Sequence, residues 1–188
     1  MTVIPNGILT KLVGGDRRSI GRVSEVVRQV CRQPELVAGL LLALTHDDPV
    51  VRLRAGDVLE KVSRRHPEWL RPSRDQLLRL ASIATDKELR WHLAQLLPRL
   101  ELTPSQRLTF ARVLDRYFAD ASTIVRVSSV QALADLSVVD PRLRRRALAR
   151  VRSCLRRGHP AERARARKLL PTLERLPNKK RLPRARRL

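Results

Sequence analysis

The segment DDPVVRLRAGDVLEKV, residues 47–62, sets an Asp48-Pro49 pair just ahead of an arginine, Arg52, and follows that arginine with apolar residues at short intervals. The arrangement returns in DKELRWHLAQLLPRL (86–100), in STIVRVSSVQALADL (122–136) and, more loosely, in HPAERARARKLLPTL (159–173). The marker arginines Arg52, Arg90, Arg126 and Arg163 are separated by 38, 36 and 37 residues. Three places after each stands Ala55, Leu93, Ser129 or Ala166. Six and seven places after stand Val58 and Leu59, Leu96 and Leu97, Ala132 and Leu133, Leu169 and Leu170, and ten after stands Val62, Leu100, Leu136 or Leu173. Offsets of this kind trace one face of a helix.

Four residues before each arginine lies a helix-start signal: Asp48, Asp86, Ser122 and His159. Asp and Ser accept hydrogen bonds from the free amides of a first turn, and the Pro after Asp48 and His159 has no amide to leave unpaired. His159 is the poorest of these caps. At about 100° per residue the arginine falls roughly 75° from the centre of its apolar stripe. Its stem then lies on core surface with the guanidinium outward, and Asp48 and Asp86 stand at the i, i+4 distance for ion pairs with Arg52 and Arg90.

Each marked helix follows another amphipathic segment: Leu36, Val37, Leu40, Leu41 and Leu44; Leu77, Leu80, Ala81 and Ala84; Leu108, Ala111, Leu114 and Phe118; Leu143, Ala147, Val151 and Cys154. Prolines at 34, 67, 72, 104 and 141 separate them. With no alternating strand pattern between turn signals, the chain reads as all-α. A further helix over about 16–32, with Ile20, Val23, Val27 and Val30 on one side, starts the array as a half repeat. The expected units are an N-terminal cap (1–33), copies at 34–66, 67–101, 102–139 and 140–175, and a basic tail (176–188).

Paired helices at this period, with Asp-Pro-x-Val-Arg entering the second, closely resemble the HEAT-repeat family. DDPVVRLRA matches best, and the resemblance covers residues 34–173. It implies a right-handed α-solenoid of about four helix pairs whose second helices line the concave side, with the aspartates and arginines forming a ladder between turns. Packing physics agrees: one such pair cannot bury both faces, so copies stack and leave an extended inner surface.

The 188 residues carry 40 Lys plus Arg against 18 Asp plus Glu, a formal charge of +22. Residues 142–188 hold nineteen of the basic and two of the acidic residues, so the field is concentrated at one end and favours acidic partners there. Cys31 and Cys154 are too few and too distant for a disulfide framework and read as buried, reduced thiols. The opening MTVIPNGILTKLVGG lacks a basic region before its apolar residues, and nothing approaches about 18 consecutive apolar residues, so the expectation is a soluble, cytoplasmic protein without a membrane role.

Side by side, the second helices align Leu53, Trp91, Val127 and Ala164. The candidate partner-binding face comprises Arg52, Leu53, Arg90, Trp91, Gln95, Arg126, Val127 and Gln131, a groove for a protein segment unless these residues pack between neighbouring helices. A second candidate, for nucleic acid or another acidic partner, comprises Arg144, Arg145, Arg156, Arg157, Arg163, Arg167 and Lys168 with Lys179, Lys180, Arg181 and Arg184 of the tail. Its alternative is a polar cap with an idle tail.

The resemblance also brings in HEAT-like alkylpurine DNA glycosylases, which use concave aromatics with an acidic residue. Trp91 is the residue that suggests them, with Asp135 one repeat on, but five aromatics in the whole chain supply few stacking platforms. The four His show no metal-ligand spacing, and turn or capping roles suffice for them. Gly14-Gly15-Asp16-Arg17-Arg18 lacks the Lys-Ser/Thr ending of a phosphate loop. No catalytic residues, cofactor, metal or small-molecule substrate are expected. The first expectation is a non-enzymatic scaffold for a protein partner, with nucleic-acid binding through the basic end as the alternative.

Overall fold

Ala55, Leu93, Ser129 and Ala166, three places after the marker arginines, are all completely shielded from solvent. Val62, Leu100, Leu136 and Leu173, ten places after, are buried with them. The computed structural model describes residues 4–14, 19 and 21–176, and within these the chain forms helices and turns with no strand. The phosphate-loop candidate past Gly14 and the tail residues Lys179, Lys180, Arg181 and Arg184 lie outside the described residues.

The helices are α1 (Asn6–Leu12), α2 (Val23–Arg32), α3 (Val37–Ala43), α4 (Pro49–Ser63), α5 (Arg74–Ile83), α6 (Lys87–Leu96), α7 (Pro104–Tyr117), α8 (Thr123–Val139), α9 (Arg144–Arg157) and α10 (Pro160–Arg175). Short 3-10 turns at Pro34–Leu36, Pro67–Trp69, Arg71–Ser73, Leu97–Arg99 and Pro141–Leu143 precede or end several of them. Each contains a proline, which presets φ and needs no amide partner in a first turn. Pro98 ends α6 in such a turn, whereas α10 continues through Pro171.

Helices α2, α4, α6, α8 and α10 lie side by side in chain order, and α3, α5, α7 and α9 each pack on the following helix from one side. This two-layer stack buries a continuous apolar core from Ile8 to Leu173. In the unit of α10 the marked stripe comes partly into the open, where Leu169 and Leu170 are half-buried.

The N-terminal region differs from expectation. Helix α2 begins at Val23, not near residue 16, and α1 is an additional helix whose Ile8 and Leu12 pack fully buried near α2 and α4. A buried arginine ties α1 down. Arg54 of α4 donates through Nη1 to the carbonyls of Leu12 (2.9 Å), Val13 (3.1 Å) and Gly14 (2.6 Å), the groups a helix C-terminus leaves unpaired. Gly21 lies against that guanidinium at φ +52°, a left-handed conformation that favours glycine. The opposite end of the stack repeats the device: Arg144 of α9, also buried, donates to Leu173 O (3.2 and 2.9 Å) near the C-terminus of α10.

Candidate functional site

The marker arginines are built into the frame. Arg52 Nε donates to Asp86 Oδ2 at 2.8 Å while its Nη1 donates to the carbonyls of His46 and Asp47. Arg90 Nη1 meets Asp120 Oδ2 at 2.5 Å, and its Nε donates to Ala84 O. Arg126 Nε reaches Glu162 Oε2 at 3.3 Å, with Nη1 on Asp120 O and Ala121 O. Each guanidinium thus gathers the loop carbonyls ahead of its own helix and pairs with an acid in the next unit. Arg163 gathers Gly158 O in the same way.

This corrects two expectations. The ion pairs run between units, not within one helix: Asp48 caps α4 by accepting from Val50 N (2.8 Å), and Asp86, whose carboxylate is taken by Arg52, makes no side-chain cap. Ser122 makes no side-chain cap either; Asp120 accepts from its amide instead. His159 performs better than its residue type suggests, because its Nδ1 accepts from Ala161 N while the Glu162 carboxylate accepts from His159 N. The helix starts are the second: two of the four expected caps make no side-chain bond. Arg52, Arg90 and Arg126 of the candidate partner-binding face are half-buried and engaged in the ladder.

Leu53, Trp91 and Val127 are half-buried and Ala164 is exposed. Leu53 and Trp91 stand on a cleft of about 360 Å³ between α4 and α6, with Asp57, Lys61, Arg64 and Gln95 also on its walls. Trp91 rests on the core with its ring tilted 59° from that of His92. Lys61 holds Asp57 at 2.5 Å, and Arg64 and Arg99 hold the buried Glu60 at 2.9 and 3.0 Å, so both carboxylates of the cleft are paired. Beyond it the row continues in polar links: Gln95 Nε2 donates to Ser128 Oγ, and Gln131 joins Asp135 and Arg165.

His92 is neither a turn nor a cap residue. Its imidazole is buried against Gly56 of α4, where a Cβ would stand 2.9 Å from His92 Cδ2, and among the described residues neither ring nitrogen has a hydrogen-bond partner. Burial pushes its pKa down to about 4, against the pull of the Asp57 and Glu60 charges. The other histidines do serve local structure: His46 Nδ1 accepts from Asp48 N, and His66 stacks on Trp69 at 3.9 Å. Among the described residues no group of His, Cys, Asp and Glu is placed to hold a metal ion, and no helix is long and apolar enough to cross a membrane. Both cysteines are free; Cys154 is buried and its thiol pKa is raised by burial, whereas Cys31 is only half-buried.

At the basic end the candidate residues divide. Arg144, counted among the outward arginines on sequence grounds, is buried as the α10 clamp, and Arg163 is engaged with Gly158. Arg145, Arg156, Arg157, Arg167 and Lys168 are exposed, and no hydrogen bond or ion pair within the described residues engages them. Residues beside them that the sequence did not single out are Arg150, whose guanidinium lies 4.3 Å from the Phe118 ring centroid, and Ser153. Both share a cleft with Arg157, a placement that depends on how the α9–α10 turn packs on α7 and α8.

Comparison with known proteins is consistent with this architecture. A family model described as a HEAT repeat domain matches residues 15–134. Among curated proteins no sequence matches the chain. Among solved structures, the chain is similar to the crystal structure of an engineered protein, a Northeast Structural Genomics Consortium target, with a TM-score of 0.60 and 17% identity over 82% of this chain and 68% of that one; the likeness concerns the fold. With a family match over well more than half of its residues and helix pairs tied by arginine rungs, the chain belongs to the HEAT-repeat family.

Proposed function

We propose that the chain is a non-enzymatic scaffold that holds a segment of a protein partner on the side of its second helices, with the α4–α6 cleft as the anchor point. In this reading four helix pairs and an N-terminal cap wind as a right-handed solenoid, and the second helices face its concave side. The observation that carries it is the open cleft of about 360 Å³ flanked by Leu53 and Trp91. A half-buried tryptophan backed by packed core, rimmed by paired charges, suits an apolar side chain inserted from a partner, since interface energy concentrates at aromatic anchors in desolvated pockets. The pairing of Asp57 and Glu60 supports a binding role over a catalytic one, because neither carboxylate stands free beside Trp91 to act on a bound base.

The test is selection of peptides from a displayed library against the full chain, followed by binding to variants. Trp91→Ala and Leu53→Asp are each expected to weaken selected peptides at least tenfold with the helical circular dichroism signal unchanged. Peptides that bind both variants as tightly as the parent chain overturn the assignment of the cleft.

A further inference from the structure

We propose that the outer face of α9, with the cleft at its C-terminal end, binds the phosphodiester backbone of a nucleic acid. Helix α9 carries seven arginines and no acid. Four have structural work: Arg144 clamps Leu173 O, Arg146 pairs with Asp115 and donates to Ala111 O, Arg150 donates to Phe118 O, and Arg152 pairs with Glu174. Among the described residues Arg145, Arg156 and Arg157 have no such partner. Arg145 stands in the first turn, where a cation opposes the helix dipole, so it does not serve the stability of its own helix.

Arg145, Arg152 and Arg156, seven and then four residues apart, fall on one line of the helix opposite its buried stripe. They span about 16 Å at 1.5 Å per residue. Duplex DNA offers one phosphate per ~3.4 Å of axis on each strand, so several lie within reach of this line. Arg157 turns toward a cleft of about 370 Å³ between the end of α7 and the α9–α10 turn, whose walls also include Arg126, Arg150, Ser153 and His159. The acid of that cleft, Glu162, is held by Arg126 and by the His159 amide. Among the described residues the Ser153 hydroxyl has no hydrogen-bond partner.

The preceding unit shows how this space is otherwise closed. Tyr117, 37 residues before Cys154 as Arg126 is before Arg163, is buried there and donates through its hydroxyl to Ala81 O at 2.6 Å, beside a smaller cleft of about 230 Å³. Ser153 and Cys154 leave the last unit open, with guanidinium and hydroxyl donors facing the gap, a set suited to phosphate oxygens. Bases are not what this surface reads, because its aromatic residue, Phe118, is already covered by Arg150. An acidic protein fits less well. Between the arginines stand Ala149 and Ser153, with no large apolar anchor of the kind protein interfaces use.

The experiment is fluorescence anisotropy of the full chain with a 20-base-pair duplex DNA, a duplex RNA and a single strand, from about 50 to 200 mM salt. Binding that weakens linearly on a logarithmic salt scale is expected, and the arms that bind identify which nucleic acid supplies the backbone. Replacing Arg145, Arg156 and Arg157 together by Gln should weaken duplex DNA binding at least tenfold and flatten the slope by about 2.7, at 0.9 per phosphate contact. A control triple with the same charge loss, Arg28, Arg32 and Arg79 to Gln, should leave the slope nearly unchanged. Ser153→Tyr should weaken binding severalfold by filling the cleft. If the triple lowers helicity, Arg157→Gln alone applies the same test, with about one third of the slope change. No binding at about 50 mM salt, equal losses in the two triples, or displacement by polyglutamate at equal charge concentration overturns the proposal. Trp91→Ala is expected to leave this binding intact, which separates it from the α4–α6 cleft.

Discussion

Arg52 Nε and Asp86 Oδ2 lie 2.8 Å apart across 34 residues of sequence, joining the second helix of one unit to the start of the second helix of the next. The contact is a charge-assisted bond between partly covered groups, and the same guanidinium satisfies His46 O and Asp47 O. Arg52→Ala removes the rung and leaves those two loop carbonyls to water. We expect a loss of about 2 kcal/mol in urea unfolding, within the range for bonds to charged groups. Arg52→Lys keeps the charge but not the planar fork, and should recover less than half of that loss. A double-mutant cycle with Asp86→Asn should give a coupling energy above about 0.5 kcal/mol; additivity would show that the rung contributes nothing beyond its separate ends.

His92 makes stability depend on pH. Its folded pKa of about 4 lies below the 6.5 of a free imidazole, so the unfolded chain takes up the proton first. The stabilising contribution is therefore full above pH 6.5 and is lost as pH falls from 6.5 through about 4. The difference between folded and unfolded imidazole corresponds to about 3 kcal/mol. The groups facing the ring are Asp57, Glu60 and Lys61, and the two carboxylates moderate the effect without reversing it. His92→Leu, which removes the titration at similar volume, should flatten unfolding free energy against pH between 6.5 and 4. An unchanged acid limb would place the proton uptake elsewhere.

Gly56 follows from the same contact. In a helix interior, Gly→Ala ordinarily stabilises by about 0.5–1 kcal/mol. Here the added methyl would stand 2.9 Å from Cδ2 and 3.2 Å from Cγ of His92, ring atoms near the backbone that have little freedom to move away. Gly56→Ala should therefore destabilise, by about 1–3 kcal/mol, the cost of overpacking. Combined with His92→Ala, which vacates the space, the same substitution should become neutral or stabilising.

The frame was legible in the sequence because its signal is periodic. A residue such as Ala55 or Leu133 is buried through its offset from an arginine, and copies at equal spacing repeat that signal. The four N-cap positions were legible for the same reason. What the period does not encode is the partner of a side chain long enough to choose. Arg52 has Asp48 four residues away in sequence and Asp86 one unit away in space, and stacking decides for Asp86. Arg144 and Arg145 are adjacent and identical, yet one is buried on Leu173 O and the other faces solvent. A rotation of about 100° separates them, and which side is covered depends on where α10 ends. The clefts were hidden for a related reason: they are spaces between units, lined by residues such as Leu53 and Ser153 whose significance appears only against a neighbour.

Arg144 offers a test of how independent the units are. Its guanidinium satisfies Leu173 O and so holds the last turns of the terminal helix α10 against α9. In a stacked array each unit touches only its neighbours, so a lesion at one end should stay there. Arg144→Met keeps the stem but leaves the carbonyl unpaired. Amide hydrogen exchange over 165–175 should accelerate at least tenfold, equivalent to about 1.4 kcal/mol of local opening, while α4 and α6 keep their protection. Arg54→Met, the matching lesion on the carbonyls of Leu12, Val13 and Gly14, should loosen α1 and spare α10. If either change lowers protection equally along the whole chain, the stack opens as one cooperative body. Ladder rungs such as Arg52–Asp86 would then couple distant units more strongly than nearest-neighbour packing provides.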